Sequence, residues 1–218
     1  MRKTLTMLLF CLAGVFLNIL ITRLCFNAGL PLFLDTILTI TVTLICGLPW
    51  GMLCGALTNV IYHSIFGYGW EAYLFTLCNI ATAVVTWLFM RFFTRELAVY
   101  KLDDTQQKSP LFSAKSNFLS ALMDRIIILI LFSFALCLTM SILGGLIATF
   151  IIIINSSYTE VKGITGVLSA TMFDHNVPLV IKEIISRIPI NIIDRLISVF
   201  AGFGIAKLIA AKRADIGK

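Results

Sequence analysis

"IIILILFSFALCLTMSILGGLIATFIIII", residues 126–154, decides the class of fold to which this chain belongs. No charged residue interrupts the run, and a helix needs only about 20 mainly apolar residues to cross a bilayer. The whole chain of 218 residues is 59% hydrophobic and 13% charged, whereas a soluble domain is about 25% charged. The sequence therefore predicts an all-α, polytopic membrane protein.

Several separate apolar runs predict six transmembrane helices in one compact bundle, which forms a single transmembrane domain. The first run is longer than the apolar core of a usual signal peptide, so we expect it to be retained as a helix. Residues 94–124 are expected to form an inner linker and residues 155–188 an outer lid. The predicted helices cover about 4–22, 30–47, 49–66, 71–93, 125–154 and 189–210.

Most lysines and arginines fall in three stretches, at residues 2–3, 91–125 and 207–218. Basic residues collect on the cytoplasmic side of membrane proteins. This rule predicts that both termini are cytoplasmic, in a cell membrane of the bacterial inner-membrane type. It also accounts for the net charge of +6 without nucleic acid as a partner.

A stripe of glycines opens the third predicted helix, "GLPWGMLCGALTNVIYH" at residues 47–63. Gly47, Gly51 and Gly55 are four residues apart, so they lie on one face of a helix and predict close helix packing. Asn59 and His63 continue the same face. We therefore expect a tightly packed inner end and a polar outer end that faces an internal cavity.

Two carboxylates lie inside apolar runs, Asp35 and Asp194. A charged side chain at the bilayer centre costs about 2.5–3.5 kcal/mol on insertion scales, so such groups face the protein interior. Asp194 adjoins Arg195, and Asp35 is expected to pair with Arg23 or Arg195. A structural ion pair and a ligand contact both remain open for these residues.

Polar and aromatic residues near the outer side complete the predicted site. Trp70 is either an interfacial anchor or a ligand contact, and "MFDHNVP" (172–178) is either a turn or a gate over the mouth. The predicted substrate-binding residues are Asp35, Thr39, Asn59, His63, Trp70, Asp174, His175, Asn191, Asp194 and Arg195.

Motifs for enzyme chemistry are missing from the sequence. It contains no GxSxG, HExxH or P-loop pattern, and its six cysteines form no CxxC pair, so neither a nucleophile nor a zinc site is indicated. We expect no enzymatic activity, no metal and no cofactor.

Residues 30–61, "LPLFLDTILTITVTLICGLPWGMLCGALTNVI", resemble the second and third helices of the substrate-binding S components of energy-coupling factor (ECF) transporters. The similarity rests on a glycine-proline-aromatic-glycine turn and on a G-x-x-x-G-A-L-x-[ND] run. Leu48 is inserted into that turn, and the first helix lacks the small residues four apart that often meet the coupling subunit in this family.

The resemblance implies a membrane subunit that binds a small metabolite, such as a vitamin or precursor, from outside. Its partners would be a transmembrane coupling subunit and two ATPase subunits, besides the surrounding lipid. Two alternatives are a membrane sensor or regulatory module and a standalone secondary transporter that uses Asp35.

Overall fold

The computed structural model describes residues 2–94, Leu97, 118–155 and 177–216, and these residues form helices and short connections. Six α-helices occur in the described part of the chain. A short 3-10 helix, Trp70–Phe75, precedes the fourth. The α-helices are α1 (Arg2–Asn27), α2 (Ile37–Cys46), α3 (Leu48–Phe66), α4 (Thr76–Phe92), α5 (Phe118–Ile154) and α6 (Leu179–Ile216).

Three helix boundaries differ from the sequence-based expectation. The second helix begins at Ile37 rather than near residue 30, because the chain around Pro31 is not helical. The last helix begins at Leu179, so residues 179–188 of the predicted outer segment are helical and continuous with the last predicted span. Pro189 lies inside this helix, where it removes one backbone hydrogen bond but does not end the helix. Helix α5 begins at Phe118, within the predicted inner linker.

Consecutive helices run antiparallel. Thr82 of α4 contacts Met140 of α5, and Phe89 stacks on Phe132. Residue numbers therefore increase in opposite directions along these two packed helices. The remaining consecutive pairs show the same relation. Helix α1 therefore begins and α6 ends at the same end of the bundle, which we call the terminal end. The opposite end, where α1 and α5 end, is the far end.

The interior changes in character between these two ends. An apolar core of aliphatic and aromatic side chains, including Ile40, Leu44, Phe132 and Phe203, fills the half near the terminal end. Buried charged and amide side chains lie in the other half. They are Asn18, Asn59, Asn79, Glu183, Arg187, Asn191, Asp194 and Arg195.

The outer surface is apolar. One face of α5 exposes large hydrophobic side chains every three or four residues, and Leu138, for example, is 54% exposed. Three helical segments among the described residues are long and apolar enough to cross a membrane: Thr4–Asn27, Trp70–Phe92 and Leu122–Ile154. An apolar exterior around a partly polar interior is the reverse of a soluble fold and suits contact with lipid.

The predicted glycine stripe is present in part. A Cβ atom on Gly55 would lie 2.8 Å from the backbone oxygen of Asn79, and one on Gly51 would overlap the side chain of Thr43, so both glycines permit close helix packing. Gly47 differs from the expectation. It precedes α3 with a φ of 89° and no neighbour within 4 Å of a Cβ, and it serves the turn between α2 and α3.

Candidate functional site

The carboxylate of Asp194 holds a break in the helical structure. Its Oδ1 accepts hydrogen bonds from the backbone N–H groups of Phe33, at 3.0 Å, and Leu34, at 2.9 Å. Leu34 has a φ of 48°, a left-handed conformation that is uncommon for a bulky residue. The side chain of Asp194 is fully buried. It therefore supplies the acceptors that this non-helical backbone lacks.

Arg195 joins this break to the start of α2. Its Nη1 donates to Thr36 Oγ1 at 2.6 Å, and its Nη2 forms an ion pair with Oδ2 of Asp194. The same Nη2 lies 3.7 Å from Oδ1 of Asp35. Of the two partners that the sequence suggested for Asp35, the structure places Arg195 beside it. The guanidinium of Arg23 instead lies 4.5 Å above the ring of Phe66.

Asp35 is the less enclosed of the two carboxylates. Its Oδ2 accepts a hydrogen bond from Asn79 Nδ2 at 2.8 Å. Its side chain is 19% exposed, whereas that of Asp194 is 0% exposed. The five residues Asp35, Thr36, Asn79, Asp194 and Arg195 form what we call the ionic cluster, which joins α2, α4 and α6.

Thr39 belongs to a second polar group, centred on Asn18. Asn18 Oδ1 accepts the backbone N–H of Leu38 at 2.9 Å, and its Nδ2 lies 3.3 Å from the hydroxyls of both Thr39 and Thr58. The first N–H groups of a helix lack intrahelical acceptors, and Asn18 satisfies one of them for α2. Thr39 therefore contributes to the contact among α1, α2 and α3.

Asn59 and His63 lie toward the far end on α3. Asn59 Nδ2 is 3.5 Å from the backbone oxygen of Phe75. The ring of His63 makes edge contacts with Tyr62, Tyr68 and Tyr73 at centroid distances of 5.6, 5.1 and 5.8 Å. The structure thus places His63 among aromatic rings, apart from the hydrogen bonds and ion pairs of the ionic cluster.

The remaining predicted residues are dispersed. Asn191 donates to Ser141 Oγ at 2.9 Å and joins α6 to α5. Trp70 is 54% exposed in the 3-10 helix. Asp174 and His175 lie outside the described residues.

The set of substrate-binding residues predicted from the sequence omits two amide side chains that contact members of that set in the structure. Asn18 and Asn79 each stand alone among apolar and hydroxyl residues in a predicted span. A buried amide needs hydrogen-bond partners within the protein, so an isolated asparagine in an apolar run is the signal that would have identified both.

The residues of the ionic cluster differ in how far they are exposed. Asp194 and Thr36 are fully buried, while the side chain of Asp35 is 19% exposed. Comparison of the chain with protein-family models, curated proteins and solved structures finds no match.

Proposed function

We propose that this chain is the membrane-embedded substrate-binding subunit of an ATP-driven importer for a small metabolite, as its resemblance to ECF S components implies. In this proposal the chain crosses the cell membrane six times, with α2 and the non-helical residues before it together making the second crossing, and both termini are cytoplasmic. The bound metabolite would enter from the far end and reach the ionic cluster. A coupling subunit and two ATPase subunits would supply the energy for release.

The observation that carries the proposal is the break before α2. Residues 33–36 are not part of a helix, and they are held by Asp194 and Arg195 about four turns inside α6. Non-helical backbone within a membrane protein is tolerated where it is buried in protein or lines a cavity. In many transporters, non-helical backbone inside the membrane forms part of the substrate or ion site.

The distribution of basic residues supports the orientation. The terminal end carries Arg91 at the end of α4 and Lys207 and Lys212 near the end of α6. Positively charged residues favour the cytoplasmic side. The far end, with Asp35 beneath it, would then face outward.

The experiment is affinity purification of the tagged full chain from the membranes of its own host, followed by native mass spectrometry. We expect a co-purifying small molecule, and we expect a membrane subunit and ATPase subunits in the same complex. Uptake in proteoliposomes should require all of these subunits and ATP. Uptake by the purified chain alone would contradict the proposal.

One observation favours a second candidate, a standalone secondary transporter. Asp35 has a partly exposed carboxylate whose contact with Arg195 is as long as 3.7 Å, and a carboxylate with such freedom is suited to exchanging an ion or proton. This candidate predicts ATP-independent uptake driven by an ion gradient and abolished by Asp35→Asn. The proteoliposome assay therefore separates the two functions.

A further inference from the structure

The ionic cluster contains an imbalance of charge. Two carboxylates, Asp35 and Asp194, share the single guanidinium of Arg195. The next ion pair along α6, between Glu183 and Arg187 at 3.5 Å, adds one charge of each sign. Among the described residues, and with its acidic groups ionised, the cluster therefore retains one negative charge inside an apolar bundle, where an uncompensated charge is strongly unfavourable.

The two carboxylates differ in the contacts that they have left to make. Asp194 uses Oδ1 for two backbone N–H groups and Oδ2 for Arg195, and it is fully buried. Asp35 uses Oδ2 for Asn79, and its Oδ1 lies 3.7 Å from Nη2 of Arg195. The excess negative charge that can still accept a partner is therefore on Asp35.

Asp35 is partly accessible, and the residues that precede it are more exposed. Its side chain is 19% exposed, and the residues before it, Leu30 and Phe33, are 50% and 53% exposed. A group that binds Asp35 would thus enter past apolar side chains and place its charge against Oδ1.

We propose that Asp35 is the docking point for a monovalent cation, either the ammonium group of a small organic substrate or a free alkali ion. The bound cation neutralises the excess charge of the cluster. This inference rests on the proposed function for its biological role, because a cationic substrate would define the class of metabolite that is imported. Its charge argument depends only on the contacts of Asp35, Asp194 and Arg195.

The test measures the melting temperature (Tm) of the purified full chain in detergent at constant ionic strength. Sodium chloride and ethanolammonium chloride are each compared with the chloride of the bulky N-methyl-D-glucammonium ion. At ten times the dissociation constant, a bound cation should raise Tm by about 3–6 °C. A response to sodium identifies a free ion as the source, and a response to ethanolammonium alone identifies an organic amine.

Two variants locate the response. Asp35→Asn preserves the shape of the side chain and removes the excess charge, so it should abolish the cation-dependent rise. Glu71→Gln makes the same change of charge at a carboxylate that instead bonds Asn155, and it should respond as the unsubstituted chain does. The measurements on the unsubstituted chain keep the test decisive if Asp35→Asn does not fold.

Equal Tm in all three salts would overturn the proposal and would mean that Asp35 is held as the neutral acid. An equal response of the Asp35→Asn variant would overturn it as well, because the cation would then bind elsewhere. A cation response, combined with the absence of coupling and ATPase subunits from the affinity-purified complex, would support the docking point and reject the importer. Binding of an uncharged metabolite with no cation response would support the importer and reject the docking point.

Discussion

Replacement of Asp194 by alanine tests whether this carboxylate holds the break before α2. The substitution leaves the N–H groups of Phe33 and Leu34 without their acceptor, and each unsatisfied buried group costs about 1–3 kcal/mol. Breaking a buried ion pair costs about 3–5 kcal/mol, but here Asp35 remains near Arg195. We therefore expect a total loss of about 3–5 kcal/mol in the free energy of unfolding.

Asp194→Asn is the matched comparison, because it keeps an oxygen at the position of Oδ1. The backbone N–H groups of the break retain an acceptor, and Arg195 retains one carboxylate. We expect a loss of about 1–2 kcal/mol, because neutral hydrogen bonds replace charge-assisted ones and no buried donor loses its acceptor. Asp124→Ala, on the exposed surface of α5, is the control and should change stability by no more than about 0.5 kcal/mol.

The assay combines thermal unfolding in detergent with hydrogen exchange. For a chain of this size, each kcal/mol lowers Tm by about 2–4 °C, so alanine should lower it by about 6–20 °C and asparagine by about 2–8 °C. Amide exchange in a peptide covering residues 28–38 should accelerate in Asp194→Ala and remain slower in Asp194→Asn. Equal effects of the two substitutions would refute the reasoning, because hydrogen-bond acceptance would then not be the role of Asp194.

Two further predictions concern helix packing. A Cβ on Gly145 would lie 2.8 Å from the backbone nitrogen of Ile184, so Gly145→Ala should force α5 and α6 apart and lower the free energy of unfolding by about 1–3 kcal/mol. A Cβ on Gly204 would have no atom within 4 Å, so Gly204→Ala should stabilise the chain by about 0.5–1 kcal/mol in thermal unfolding. Equal effects of the two substitutions would contradict this account. Asn18→Leu removes the acceptor of the Leu38 N–H and should cost about 1–3 kcal/mol in the same measurement, and an unchanged Tm would show that this hydrogen bond contributes nothing.

Sequence reasoning was most successful where hydrophobicity acts along a single helix. Three apolar segments of sufficient length are helical as expected, because length and composition alone determine whether a helix can cross a bilayer. The close approach at Gly55 also followed from the sequence, since four-residue spacing fixes a helical face.

Other features were mispredicted because local patterns do not reveal tertiary partners. Pro189 suggested the beginning of a helix, yet α6 starts ten residues earlier and continues through it. Residues 30–36 suggested a helix because they are apolar, yet Asp194 supplies an alternative acceptor for their backbone. Gly47 fitted the spacing of the stripe, but its positive φ places it in a turn.

The sequence by itself determined that this chain is apolar, helical and suited to a membrane, because these properties follow from side-chain transfer energies summed along each segment. It also indicated that Asp35 and Asp194 belong inside the protein, since a charge exposed to lipid is costly. Only the tertiary structure decided that both meet Arg195, that Asn18 and Asn79 join the interior polar groups, and that Asp35 is the more exposed of the two carboxylates. These outcomes depend on which faces of distant helices come together, and contacts between residues up to 161 positions apart leave no local pattern in the sequence.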